Sequence, residues 1–165
     1  MRTRRTRWGG AGVLVALLLG GPPSGARTAD QKIFVAARSR VYVSHAGNAV
    51  SVLRANWSPV FEEPVGGGPS AVAVRPDGAR AYVTNSLSNS VSVLDTATNT
   101  VVATVAVGAQ PQGVAIRPDG ARAYVTNPDA DTASVLDITA EPPPVVDTVS
   151  LPGGCRDVPA SGPPP

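Results

Sequence analysis

The residues of this chain that could do chemistry are few, and most of them stand alone. His45 is the only histidine among 165 residues, and Cys155 is the only cysteine. A histidine can ligate a metal, but a protein metal site needs several convergent ligands, and the sequence around His45 supplies none. Nucleophilic catalysis by serine or threonine needs an adjacent base. We therefore expect no catalytic residue, no metal site and no internal disulfide.

One acidic stretch has a spacing that calcium loops use. NPDADTAS, residues 127–134, has oxygen-bearing side chains at alternate positions, but calcium takes six or more oxygen ligands, and the glycine and glutamate of an EF-hand loop are missing. The matching segment NSLSNS, residues 85–90, has no acidic residue. We expect both segments to be solvated loops, where binding residues concentrate. The candidate contact residues are Asn85, Asn89, Asn127, Asp129 and Asp131.

Both segments belong to a tandem repeat. AVRPDGARAYVTN, residues 73–85, recurs as AIRPDGARAYVTN 42 positions later, at residues 115–127. A decayed copy, RVYVSHAGNAVSVLR, precedes them at residues 40–54. The three tyrosines of the chain fall at one repeat position, as Tyr42, Tyr82 and Tyr124. A repeat of this length predicts a modular fold in which each unit packs on its neighbour.

The chemistry within one unit is that of antiparallel β-structure. Pro76 and Asp77 suit the corners of a tight turn, and Gly78 can take the positive φ that follows. The segment after the turn alternates, with Ala81 and Val83 on one face and Tyr82 on the other. Four strands in about 42 residues is the size of one propeller blade. A β-solenoid is the competing architecture, but hairpin turns favour a meander.

RPDGARAYVTN followed by SVSVLDTATNTVVATVAVG resembles the YVTN-type β-propeller repeats of exported bacterial and archaeal proteins. The resemblance implies an all-β fold, an incomplete β-propeller with two good four-stranded blades and one degenerate blade. Their predicted bounds are residues 70–111 and 112–151 for the good blades and 31–69 for the degenerate one. Because related propellers hold cofactors such as haem d1, it also implies His45 as the only conceivable cofactor ligand.

The pattern weakens at both ends of the repeat array. Pro59 and Pro64 are predicted to interrupt any strand ladder in the outer part of the first copy. Residues 152–165 abandon the pattern, and we expect a disordered tail there. Closed propellers use about four to eight blades, so three blades leave open edges. A truncated longer propeller is favoured, while self-association that completes the disc and a short curved array remain alternatives.

The first 26 residues have the layout of a secretory signal peptide. Four arginines precede AGVLVALLL at residues 11–19, an apolar run too short to span a bilayer. Small residues follow, which places cleavage near Ala26 or at Ala29. Arg4 and Arg5 permit a twin-arginine signal, but the general secretory route is favoured. We expect an exported protein, periplasmic or extracellular, with no membrane span in the mature chain.

The charge balance changes once this segment is set aside. Four of the 14 basic residues precede residue 27, whereas all 12 acidic residues follow it. The remainder is net negative without a basic stripe, so we expect no nucleic-acid partner. The favoured function is a non-catalytic binding or scaffold module without a cofactor, its partner an unknown protein or surface ligand. One alternative is a fragment of a cofactor-dependent propeller oxidoreductase, and another is a gene remnant without independent function.

Overall fold

The computed structural model describes residues 32–36, 40–45, 47–54 and 59–151, with side chains described in 40–44, 47–53 and 61–151. The predicted signal peptide, the predicted tail, Cys155 and the side chain of His45 lie outside the described residues. Within the described part, the chain is built from β-strands and one 3₁₀ turn, Pro128–Ala130.

Twelve strands of the described residues form three four-stranded antiparallel sheets, each with its strands in chain order. The first sheet contains β1 (Lys32–Ala36), β2 (Arg40–His45), β3 (Ala49–Arg54) and β4 (Pro59–Pro64). The second contains β5 (Pro69–Val74), β6 (Arg80–Asn85), β7 (Ser90–Asp95) and β8 (Thr100–Ala106). The third contains β9 (Gly113–Ile116), β10 (Arg122–Asn127), β11 (Thr132–Asp137) and β12 (Val145–Ser150). The predicted incomplete β-propeller is confirmed.

The Pro-Asp-Gly turns between the first two strands of a sheet have the predicted conformation. Gly78 and Gly120 both have φ 71°, which glycine adopts at no steric cost. The Gly78 N–H donates to the carbonyl of Arg75 at 2.7 Å, and the carboxylate of Asp77 accepts the N–H of Ala79 at 2.9 Å. The recurring Asp therefore holds the turn with its side-chain carboxylate, which accepts a backbone N–H two residues further on.

The prediction that Pro59 and Pro64 interrupt the ladder of the first sheet is wrong. Both residues lie in β4, where Pro59 pairs with Leu53 and Pro64 pairs with Ala49. They are the first and last residues of an edge strand. Such a strand has one unpaired side, so a missing N–H there breaks no ladder bond. Proline spacing alone did not show which strand would lie at the edge.

The core lies between the sheets, because each sheet buries one face on the next. Alternation along β6 sends Ala81 and Val83 toward the first sheet and Tyr82 toward the third. The cluster between the first two sheets comprises Tyr42, Val50, Val52, Val72, Ala81, Val83 and Leu94. The cluster between the second and third comprises Tyr82, Val91, Val93, Ala123, Val125, Leu136 and Ile138. Because side chains alternate along each strand, the second sheet packs against the first sheet with one face and against the third sheet with the other.

Arginines at the Pro-Asp-Gly end of the sheets connect each sheet to the next. Arg40 donates at 2.6 Å to the carbonyl of Thr96 and at 2.6 Å to Oδ1 of Asn99. At the next junction Arg80 forms two bonds with the carboxylate of Glu141, at 2.6 and 2.9 Å. Asn99 and Glu141 occupy the same repeat position. The arginine contact is therefore made at both junctions, to an amide oxygen at the first and to a carboxylate at the second.

Candidate functional site at the loop end of the sheets

The loop end of the molecule is formed by the turns that join the second and third strands of each sheet. Asn48, Asn89 and Asp131 occupy equivalent positions there and have φ of 55°, 50° and 49°. The carbonyl oxygen of each accepts one backbone N–H from the end of the same sheet, at 2.8–3.0 Å; the donors are Val65, Val107 and Leu151. Asparagine and aspartate tolerate this left-handed conformation better than most residues. The residue before the third strand therefore has the same conformation and the same backbone anchor in each sheet.

Two of these turn residues also bind the segment that leads to the next sheet. The Oδ1 atom of Asn48 accepts the N–H of Gly68 at 3.2 Å. The Oδ1 atom of Asn89 accepts the N–H of Gln110 at 2.9 Å. Gly68 and Gln110 both have positive φ, 65° and 55°. Asn89, an exposed candidate contact residue, thus has a structural task as well.

Asn85 and Asn127 end β6 and β10, and the structure places both inside the protein, at 0% exposure. The amide nitrogen of Asn85 donates to the hydroxyls of Ser90 at 3.1 Å and Ser92 at 2.9 Å. Asn127 makes the equivalent two bonds, to Thr132 at 3.1 Å and Ser134 at 3.0 Å. Their contribution to binding would be indirect, through the turn that they hold in place.

A glycine lies directly over each of these buried amides. A Cβ atom on Gly66 would lie 2.7 Å from Cγ of Asn85, and one on Gly108 would lie 2.6 Å from Nδ2 of Asn127. Real Cβ atoms do not come so close to another heavy atom, so only glycine fits the observed arrangement. The glycines before each repeat unit thus serve close packing against an asparagine.

Leu87 is the most exposed large apolar side chain of the described residues, at 77%. The turn that carries it is fixed to the connection from the first sheet. Its N–H donates to the carbonyl of Gly67 at 3.0 Å, and the neighbouring Ser86 N–H donates to the carbonyl of Gly68 at 2.8 Å. The hydroxyl of Ser88 accepts the N–H of Gly67 at 2.7 Å. An apolar side chain is therefore presented to solvent on an ordered support.

The remaining candidate residues are Asp129 and Asp131, whose side chains the structure describes, and His45, for which it describes the backbone alone. Asp129 and Asp131 are exposed, the first within the 3₁₀ turn and the second directly after it. His45 ends β2 with its backbone paired to Ala49, and its side chain lies outside the described residues. Among the residues that the structure describes, no group of three or more His, Cys, Asp and Glu side chains is placed to hold a metal ion. No helix in that same part of the chain has the length and hydropathy of a membrane span.

The opposite, Pro-Asp-Gly end is charged. The hydrogen bond from Arg80 lowers the pKa of Glu141, and backbone hydrogen bonds, first that of Thr98, lower the pKa of Asp95. The hydroxyl and N–H of Thr139, followed by Arg122, lower the pKa of Asp137 to about 2. These carboxylates are ionised at neutral pH and engaged in turns and ion pairs, which is a structural use of charge.

Sequence reasoning did not single out Leu87 or the glycines over the asparagines. Leu87 is the one apolar residue in NSLSNS, and that contrast was a usable signal for an exposed contact residue. The role of Gly66 and Gly108 had no local signal, because the asparagine that each one contacts is 19 residues further along the chain.

Three four-stranded antiparallel meanders packed face to face define a partial β-propeller. A protein-family model described as "Lactonase, 7-bladed beta-propeller" matches residues 40–152, which is more than half of the chain. The chain therefore belongs to this family. No curated protein sequence matches it significantly.

Solved structures of similar fold match 70–72% of this chain. The Kuenenia stuttgartiensis hydrazine synthase is 30% identical, with a TM-score of 0.63 over 72% of this chain and 37% of that one. The dihydro-heme d1 dehydrogenase NirN in complex with DHE is 22% identical, with a TM-score of 0.60 over 70% and 25%. Apo AztD from Citrobacter koseri is 16% identical, with a TM-score of 0.60 over 72% and 33%. The chain thus spans between 25% and 37% of the length of these three structures.

Proposed function

We propose that this chain is a non-catalytic binding or scaffold module that contacts a protein or surface ligand through its loop end. The observation that carries the proposal is the exposure of Leu87, 77%, on a turn whose backbone is hydrogen-bonded to the preceding connection. Burying a leucine side chain completely is favourable by about 1.5–3 kcal/mol. An anchored turn loses little conformational freedom on binding, so more of this gain is retained.

Polar residues of the same turn and of the equivalent turn of the third sheet suit the rim of such a contact. Asn89 lies in the same turn and is exposed, while Asp129 and Asp131 are exposed in the equivalent turn of the third sheet. Binding surfaces commonly combine a central apolar anchor with a polar rim that gives specificity. We assign Leu87 the anchoring role and the three polar side chains the rim.

The finer family and the cellular location belong to the same proposal. The RPDGARAYVTN repeats support a YVTN-type propeller, and the basic and apolar segments of residues 1–26 support export to the periplasm or cell surface. N-terminal sequencing of the protein recovered outside the cytoplasm should begin at residue 27 or 30. An intact Met1 on that protein would contradict the signal peptide.

Site-directed photocrosslinking tests the binding surface. A benzoylphenylalanine at position 87 should give a discrete crosslinked product on cells that make the protein. The matched control is the same probe at Thr98, which is exposed at the opposite end. Product from position 87 and none from 98 is the expected result. Equal labelling at both positions would contradict a specific loop-end contact.

A second candidate is a fragment of a cofactor-dependent propeller oxidoreductase, supported by the fold similarity to NirN, whose structure contains DHE. His45 is the residue proposed for such a ligand, and its side chain lies outside the described residues. The visible absorption spectrum of the purified protein separates the two functions, since a haem band would contradict the scaffold. The family description also names a lactonase, and acid release from a lactone such as 6-phosphogluconolactone would contradict the non-catalytic assignment.

A further inference from the structure

The outer strand of each sheet has one side without a paired strand among the described residues. β4, β8 and β12 come last in their sheets, and each pairs with a single strand. Such an edge presents backbone N–H and C=O groups to which a strand of another chain can bind. Along an antiparallel strand these groups point alternately toward and away from the paired strand. Only some residues of each outer strand therefore present an N–H at the open edge.

Backbone hydrogen bonds at the loop end identify the outward residues. The residue directly after each outer strand donates its N–H inward, to the turn of its own sheet. These donors are Val65, Val107 and Leu151. The last residue of each strand consequently faces the open edge, and so does the residue two positions before it. The outward residues are Pro64 and Glu62 in β4, Ala106 and Thr104 in β8, and Ser150 and Thr148 in β12.

β4 and β12 protect this edge with residues of their own. The sequence of β4, PVFEEP, ends in a proline, which has no N–H to offer, and it contains two glutamates. In β12, the carboxylate of Asp147 accepts the outward N–H of Thr148 at 2.8 Å. Proline and charged side chains are common means of keeping edge strands from pairing. Fewer N–H groups of these two strands are therefore open to another chain.

β8 contains no such residue. Its sequence, TVVATVA, has neither a proline nor a charged side chain. Uncharged segments of high β-propensity aggregate readily when they lie at an exposed edge. A residue of the first sheet covers this edge instead, because Oε1 of Glu63 in β4 accepts the N–H of Val101 at 2.8 Å. The neighbouring sheet thus supplies the protection that β8 lacks in its own sequence.

The arrangement is particular to this junction. Glu63 pairs with Val50, and Val105 pairs with Val91 at the equivalent place in the second sheet. A valine side chain cannot accept a hydrogen bond, so β8 provides no such acceptor for β12. Asp147, which lies in β12 itself, has that task there. Each of the three outer strands is protected, although the residue responsible differs from one repeat unit to the next.

We propose that Glu63 guards the outer edge of the second sheet against pairing with a strand of a second copy of this chain. A strand that pairs along β8 has to displace the carboxylate from the N–H of Val101. Hydrogen bonds to an ionised acceptor are shorter and stronger than those between neutral groups, so this exchange is unfavourable. Asp147 guards β12 in the same way through Thr148. The role concerns assembly and goes beyond the proposed binding function, because it needs no ligand.

The test is the rate at which the purified chain aggregates under native conditions, followed by thioflavin T fluorescence and light scattering. Glu63→Ala should raise this rate about tenfold, because it uncovers an edge N–H on a strand without other protection. Glu63→Gln should stay close to the wild-type rate, since its amide oxygen can accept the same N–H. The matched control is Glu62→Ala, which removes the same charge from the neighbouring exposed position and should also stay close to wild type.

A second substitution tests which edge pairs. Ala106 is exposed and stands where β4 has Pro64, since it pairs with Ser90 as Pro64 pairs with Ala49. A proline there removes an outward N–H without breaking a bond to β7. Ala106→Pro added to Glu63→Ala should bring the rate back toward wild type, and Ala106→Pro alone should not raise it.

The contrary outcomes are distinct. An unchanged rate in Glu63→Ala, or an equal rise in Glu63→Gln or Glu62→Ala, would overturn the proposal. A rate that Ala106→Pro does not reduce would show that β8 is not the pairing edge and would also overturn it. Arg80→Met weakens a different contact between sheets, so an equal rise in that variant would indicate partial unfolding instead of edge pairing. Far-UV circular dichroism matching wild type shows that each variant is folded before aggregation begins.

Discussion

Tyr82 and Tyr124 occupy the same place in the same six-residue strand, RAYVTN, and yet one is buried and the other is exposed. The two strands have the same turn before them, with φ 71° at Gly78 and Gly120, and the same buried asparagine at their ends. What differs is the neighbour. The third sheet covers Tyr82, to 2% exposure, and no described sheet covers Tyr124, at 40%.

The comparison separates local structure from packing energy. Strand, turn and end-of-strand hydrogen bonds arise within one repeat unit, so they are the same in both copies. Burial of the tyrosine face requires a second sheet, so it differs. Covering the face also changes the acidity of the tyrosine, because burial raises the pKa of the Tyr82 hydroxyl. A repeat protein obtains much of its stability from such nearest-neighbour contacts.

The largest expected effect comes from truncating the covered tyrosine. Tyr82→Ala should lower the free energy of unfolding by about 3–5 kcal/mol, because it leaves a cavity between the second and third sheets. Tyr124→Ala is the matched control and should cost about 1 kcal/mol when measured at a concentration where the chain is monomeric. Denaturant unfolding measures both. Equal losses would show that Tyr124 is covered in solution, which would break the comparison.

A smaller effect, equal in the two sheets, is expected at the glycines over the buried asparagines. Gly66→Ala and Gly108→Ala should each cost about 1–3 kcal/mol, because the new methyl overlaps the amide of Asn85 or Asn127. The control is Gly67→Ala, whose Cβ would lie 3.2 Å from the hydroxyl of exposed Ser88 and 3.5 Å from Cβ of Leu87, without overlapping a buried amide. A much smaller loss of stability in Gly108→Ala than in Gly66→Ala would mean that the third sheet is packed more loosely than the second.

The inter-sheet arginine should matter less than the tyrosine. Arg80→Met removes two bonds to Glu141, whose side chain is 46% exposed, together with the pair to Asp95 of its own sheet, and should cost about 0.5–1 kcal/mol. Arg122→Met loses only its pair with Asp137 and should cost less than Arg80→Met. Thermal unfolding at low and at high salt checks the assignment, since screening should reduce the difference between the two variants.

The acid dependence of stability should be modest and have a definite sign. The pKa values of Asp77, Asp95, Asp137 and Glu141 are lowered in the folded protein, that of Asp137 to about 2. Their contribution is therefore present above the ordinary values of 3.8 and 4.5 and is lost as the pH falls through the lowered ones. Unfolding measured between pH 6 and 2 should show this loss. The slope should be smaller in Arg80→Met, and an unchanged slope would exclude the Arg80–Glu141 pair as a contributor.

Much of the fold could be predicted because each signal was local and repeated. The Pro-Asp-Gly turns and the alternation of Ala81 and Val83 against Tyr82 each depend on a few adjacent residues. The four-strand period then fixed the size of a blade. The prediction for Pro59 and Pro64 was wrong because the tolerance of proline depends on whether its strand lies at an edge, which is a property of the whole sheet.

The candidate site was less predictable. Asn89, Asp129 and Asp131 are exposed in turns, as the loop prediction anticipated, but whether they bind a ligand remains a prediction. Asn85 and Asn127 had the same signal in the sequence as these exposed turn residues, but they are buried under Gly66 and Gly108. That contact joins residues from consecutive repeat units, and sequence spacing contains no record of which side chain lies beneath which glycine.

The sequence by itself determined the strands, their turns and the meander of each sheet, because period-two alternation and turn chemistry act over a few residues. The tertiary structure decided which tyrosine is buried, which arginine finds a carboxylate on the next sheet and which apolar side chain is left in solvent. Those outcomes depend on the face that one sheet presents to another. Two identical strands acquire different environments when only one of them has a neighbour.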